Sequence, residues 1–162
     1  MKTIYVLILV VLLVNNGLWA QSTGITTNQS LMLEVKPITK IVITGSLAPL
    51  VITDAVDGSD LLSVSDDNTK YSFVTNLDNL KIVASINDQM PTGTKLMIKV
   101  TSCRATSVGL VDVSRALTPV DVVTGISRGS DADQSIVYTF AANADVREIV
   151  SQSRTVTLTL TN

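Results

Sequence analysis

The chain has 162 residues, 46% hydrophobic and only 4% aromatic, with 12 Lys and Arg against 14 Asp and Glu, no His and a single Cys. A formal charge of −2 argues against nucleic acid as a partner. The missing His excludes His-based catalytic triads and the usual zinc sites, and one Cys cannot close an internal disulfide, so stability must come from packing and sheet hydrogen bonds.

The first twenty residues, MKTIYVLILVVLLVNNGLWA, read as a secretory signal. Lys2 supplies the positive start, and Ile4–Val14 is an apolar run shorter than the roughly 20 residues a membrane-spanning helix needs. Ala20 supplies the small residue before cleavage, and no Cys follows the run to carry a lipid. The mature chain is expected to begin at Gln21, outside the cytoplasm, and to form a single domain over 21–162 with no integral membrane segment. Loss of Lys2 from the 12 basic residues leaves 11 against 14 acidic ones, a net charge of −3. Residues 21–30, QSTGITTNQS, form a polar, flexible lead. They include the sequon Asn28-Gln29-Ser30, which carries meaning only in a eukaryotic secretory pathway; the short signal and the lack of disulfides fit a bacterial envelope protein better.

Beyond the lead, short apolar segments alternate with turn residues. Ten strands are predicted, at Leu31–Val35, Ile38–Thr44, Leu50–Thr53, Tyr71–Thr75, Leu80–Ile86, Thr94–Thr101, Leu110–Val113, Val120–Val123, Ser135–Ala141 and Thr155–Thr161. The separators are Gly45 with Pro49, DGSD, SDDN, DQMPTG and SRGSDAD. This spacing, without βαβ alternation, indicates an all-β antiparallel sandwich of about seven to ten short strands. Alternation assigns faces: Ile82, Ala84 and Ile86 oppose Lys81, Val83 and Ser85, while Leu96, Ile98 and Val100 oppose Lys95, Met97 and Lys99. Tyr71 with Phe73, and Ile136 with Tyr138 and Phe140, are expected in the core rather than on a sugar-stacking platform. Over 145–150, Val146, Ile149 and Val150 fall at helical spacing, and a helical turn, a loop and a short edge strand all fit.

The chemistry-bearing residues are sparse. Glu34 and Glu148 pair with no obvious carboxylate, and the inventory points to a protein that is not an enzyme and holds no cofactor. Aspartates gather at Asp54, Asp57 and Asp60, at Asp66 and Asp67, and at Asp131 and Asp133, but no run has the EF-hand spacing with its closing Glu, so solvated turn aspartates are expected and no metal site is assigned. Cys103 is expected as a small buried hydrophobe.

The chain ends on an unbroken strip, Thr155–Thr161, in which Thr alternates with Val156, Leu158 and Leu160. These three are the expected core side of a terminal strand, with the Thr hydroxyls facing water. A secreted, helix-poor chain with a polar lead, an alternating first strand LMLEV, a Tyr-bearing penultimate strand SIVYTF and a terminal TVTLTLT resembles bacterial pilin-like β-sandwiches. The nearest look-alikes are fimbrial subunits of chaperone–usher type and spore-coat-U-like domains. The resemblance implies an immunoglobulin-like fold and assembly in which the N-terminal segment of one subunit supplies a missing strand to the next. It makes Leu31–Val35, with Leu31, Leu33 and Val35 as the alternating apolar positions, the candidate exchangeable strand; the same segment fits equally as the first strand of a complete domain. The expected function is a secreted, non-enzymatic structural or adhesive protein of the periplasm or cell surface, with other copies or envelope assembly proteins as partners. A monomeric secreted module that binds a glycan or another ligand is the alternative.

Overall fold

A computed structural model describes residues 26–54 and 59–162. The signal segment, Gln21–Ile25 of the polar lead and Asp57 of the first acidic loop lie outside the described residues. The chain divides between Glu34 and Val35 into two units. The described part of the first, residues 26–34, is irregular and exposed. The second is all-β: nine strands, no helix among the described residues, and two antiparallel sheets.

The strands are β1 (Thr39–Thr44), β2 (Leu61–Thr75), β3 (Leu80–Ile86), β4 (Thr94–Val100), β5 (Thr106–Ser107), β6 (Leu110–Asp112), β7 (Val120–Ile126), β8 (Gly129–Asn143) and β9 (Val156–Thr161). One sheet has the order β1-β2-β8-β4-β6 and the other β5-β7-β3-β9. Their inner faces share one hydrophobic cluster, to which β2, β4 and β8 contribute Tyr71, Phe73, Ile98, Val100, Ile136 and Tyr138, and β3, β7 and β9 contribute Leu80, Ile82, Ala84, Ile86, Val122, Ile126 and Leu158. Tyr71 and Phe73, two residues apart on one face of β2, stack with ring centroids 6.5 Å apart. The buried Tyr71 hydroxyl donates to the Thr101 carbonyl at 2.6 Å, so the largest core side chain leaves no polar atom unpaired there. Burial pushes its pKa up to about 12, with Asp131 and Cys103 adding to the rise against a lowering hydrogen bond from Ser102.

Two strands are longer than expected, β2 about threefold and β8 about twofold, because turn-like residues lie inside them. The SDDN run is a bulge in β2: Asp66 pairs with Tyr138 and Thr69 with Ile136, so three steps on β2 match two on β8. The Asp66 carboxylate accepts from the Asn68 backbone amide at 3.1 Å and from its side-chain amide at 2.7 Å, satisfying the donor that the ladder loses. Gly45, in the turn after β1 at φ +91°, lies so close to the Asn68 carbonyl that a Cβ would collide with it. β8 absorbs the GSDAD part of the SRGSDAD separator through a second irregularity opposite Tyr71 and Phe73, where Asp133 takes a positive φ of 54°. Asp131 turns inward and its carboxylate accepts from the Ser102 hydroxyl at 2.8 Å and the Cys103 amide at 3.0 Å.

Other expectations are corrected. Leu31–Val35 and Leu50–Thr53 are irregular rather than strands, since neither pairs with a strand among the described residues; Leu50 nonetheless packs against the core. Of the three readings open for 145–150, the loop is the one observed: Val146 sits where a Cβ on Gly93 would meet it, while Ile149 and Val150 are exposed, so no helical face is buried. Val83 is buried on the outer face of β3, beside the ion pair that Lys81 makes with Asp121 at 3.0 Å. Cys103 is exposed, because the loop that gives its amide to Asp131 turns the thiol outward, where Sγ donates to Gln134 Oε1 at 3.3 Å.

Candidate functional site: the open strand edges

The four sheet edges are unequal. On one side the sheets end in β6 and β5, of three and two residues, too short to template another chain. On the other they end in β1 and β9, six residues each, whose Cα atoms approach within 8 Å across the two sheets. Each of these pairs with a strand on one side only among the described residues, β1 with β2 and β9 with β3.

Register fixes what this side presents. β9 runs antiparallel to β3, with Val156 opposite Ile86, Leu158 opposite Ala84 and Leu160 opposite Ile82. All three apolar residues therefore lie on the inner face; Leu158 is buried, and Val156 and Leu160 are half-buried against the cluster. Thr157 and Thr159 are exposed on the outer face. On β1, Ile41 lies opposite Phe73 and Ile43 opposite Tyr71, which puts both on the inner face. Ile41 packs against the core, but Ile43 keeps 47% of its surface exposed. Tyr71 and Phe73 beneath β1 are buried, but Ile43 leaves apolar surface uncovered at the end of this edge strand.

Two asparagines hold these edges in place. Asn87, one residue after β3, donates its backbone amide to the Thr155 carbonyl at 3.1 Å and accepts the Thr155 amide on Oδ1 at 2.7 Å, setting where β9 begins. Arg154 braces the same entry, its guanidinium donating to the Gln89 carbonyl at 3.2 and 3.0 Å and pairing with Asp88 at 3.7 Å. Asn76, one residue after β2, accepts the Ile38 amide at 2.7 Å and donates to the carbonyls of Ile38 and Lys36, which sets the entry of β1. Sequence reasoning missed Asn76, Asn87 and Arg154. The only available cue was an Asn directly after a predicted strand, which is also ordinary turn composition.

The candidate exchange segment is solvent-facing, with Leu31, Leu33 and Val35 exposed by 77%, 82% and 82%. The candidate terminal strand and this segment are thus different in kind, one packed on a core and one bare.

A cleft of about 680 Å³ is wide open and lined mainly by polar residues including Lys95, Asp112, Ser114, Arg115 and Asn143. Its Ser114 hydroxyl is committed to structure, accepting the Leu96 amide at 2.8 Å and hydrogen-bonding Asp112 Oδ1 at 2.5 Å. With no His in the chain, this serine has no imidazole base beside it. Among the described residues no group of three His, Cys, Asp or Glu side chains gathers to hold a metal, and no helix is long and apolar enough to cross a membrane.

Fold and edges together define an all-β protein of two antiparallel sheets with one blunted side and one side of long, half-covered edge strands. Comparison with protein-family models, curated proteins and solved structures gave no match to the chain.

Proposed function

We propose that the chain is a secreted, non-enzymatic structural or adhesive protein of the bacterial periplasm or cell surface, an immunoglobulin-like sandwich that assembles by strand addition in the manner of a fimbria-like subunit. The observation that carries this reading is the inequality of the edges: β5 and β6 are stubs, while β1 and β9 are long, face each other and leave Ile43, Val156 and Leu160 incompletely covered. An added strand gains affinity from unpaired backbone groups and register from alternate side chains, and a bare Leu31, Leu33, Val35 alternation has that character. The experiment is a non-boiled gel and light scattering of the purified protein at rising concentration. Ladders that disappear in a Leu31→Asp, Leu33→Asp variant support strand addition by this segment. A monodisperse monomer at every concentration defeats it. The second reading, a monomeric module for a glycan or another ligand, is favoured by one feature, the open polar cleft beside Lys95 and Arg115; retention of the monomer on a glycan array supports it.

A further inference from the structure

The terminal strip Thr155–Thr161, TVTLTLT, has the same pattern of hydroxyl and apolar residues read in either direction. Such a strip is complementary to a reversed copy of itself. Laid antiparallel about Leu158, it sets Val156 against Leu160 and Leu158 against its equivalent on the inner face, and Thr157 against Thr159 and Thr155 against Thr161 on the outer. Any other centre leaves residues at one end of the strip unpaired.

The edge is also undefended. β9 carries no charge and no proline, the two commonest devices by which an edge strand refuses a partner, whereas β1 carries Lys40 and the remaining edges are stubs. The clamp of Asn87 and Arg154 fixes the strand's entry without touching its outward side. Val156 and Leu160 are the two inner-face residues of β9 still half-exposed, and the reversed pairing places each against the other's counterpart.

We propose that two copies of the chain associate through β9, antiparallel about a two-fold axis at Leu158, joining their four-stranded sheets into one continuous sheet. The pairing stands independently of strand addition and bears on it: a β9 edge held by a second β9 is closed to an incoming strand, so this dimer is a form that does not grow.

The test uses the full exported chain and light scattering across a concentration series. Wild type is expected to shift from monomer to dimer. A Thr157→Lys, Thr159→Lys variant sets like charge opposite like charge and stays monomeric, with its melting transition retained because both positions are exposed. The matching Thr157→Glu, Thr159→Glu variant is monomeric too, and an equimolar mixture of the two restores the dimer. In a Cys103→Ser background, Thr157→Cys and Thr159→Cys chains oxidised together cross-link to one another faster than either does to itself. A wild type that is monomeric throughout, a dimer that survives both charged variants, a mixture that stays monomeric, or cross-linking without preference overturns the proposal. A Leu31→Ser, Leu33→Ser variant separates the two ideas: it keeps the β9 dimer and loses only larger assemblies.

Discussion

Leu158→Asp set against Thr157→Asp tests whether β9 is part of the folded unit or merely lies along it. Leu158 retains 9% of its surface and faces Ala84 within the core cluster. Replacing it forfeits apolar burial worth about 2 kcal/mol. It also puts a carboxylate where no donor waits, a further cost of about 2 kcal/mol or more, capped by the option of β9 peeling away from its single neighbour. A loss of about 4 kcal/mol is a large share of the roughly 5–15 kcal/mol by which domains are stable. Thr157, opposite Ser85 on the wet face, should tolerate the same change for less than about 1 kcal/mol. Urea unfolding followed by far-ultraviolet circular dichroism measures both as shifts in midpoint at constant slope. Equal losses for the two variants, or under about 1 kcal/mol for Leu158→Asp, would refute the assignment of the inner face.

Three further outcomes follow from the interior and the loops. The Tyr71 phenol, with a folded pKa of about 12 against an unfolded value near 10, holds its proton more tightly in the native state; its contribution is intact below pH 10 and falls by about 2–3 kcal/mol as pH rises to 12, so tyrosinate absorbance should appear together with loss of the β signal rather than before it. Burial raises the Tyr138 pKa as well, in the same direction. Asn87→Ala removes the acceptor of the Thr155 amide and should cost about 1 kcal/mol, with faster hydrogen exchange confined to β9 and its entry. Cys103 should react with a thiol reagent in the native protein at a rate close to that in urea; protection until unfolding would contradict its exposure.

Alternation was legible wherever a strand is straight and its inner face buried. Leu80–Ile86 has the same bounds in sequence and structure, and Thr94–Thr101 and Thr155–Thr161 differ by one residue, because each carries apolar residues at every second position. The central pair β2 and β8 was legible only in part. Asp66-Asp67-Asn68 and Ser130-Asp131-Ala132-Asp133 have turn composition, yet they are bulge and ladder residues, and the Asp66 and Asp131 carboxylates are taken up by Asn68 and by Ser102 and Cys103. Composition cannot distinguish an aspartate that ends a strand from one that bonds within it. Leu31–Val35 has the alternation of a strand, but a strand also needs a neighbour, and pairing is not written in one segment. The open side was out of reach for the same reason: Ile43 reads as core by period, and only the sheet order reveals that no strand pairs beyond β1 among the described residues.

The bulge at Asp66–Asn68 acts on β2 as a phase joint. Leu62, Val64 and Asp66 on one side, and Thr69, Tyr71, Phe73 and Thr75 on the other, all point inward, although Val64 and Thr69 are an odd number of positions apart. The two halves of β2 therefore keep separate count of in and out, and the joint reconciles them. Removing one residue at Asp67 or Asn68 would merge the two counts into a single uninterrupted strand with every side chain still on its own side. Removing one at Ser63 or Ser72 would instead turn over the residues beyond it, sending serine and lysine toward the core and Val64 or Tyr71 toward water. Along this strand, length can change without penalty to the core only at the place that already breaks the rule of alternation.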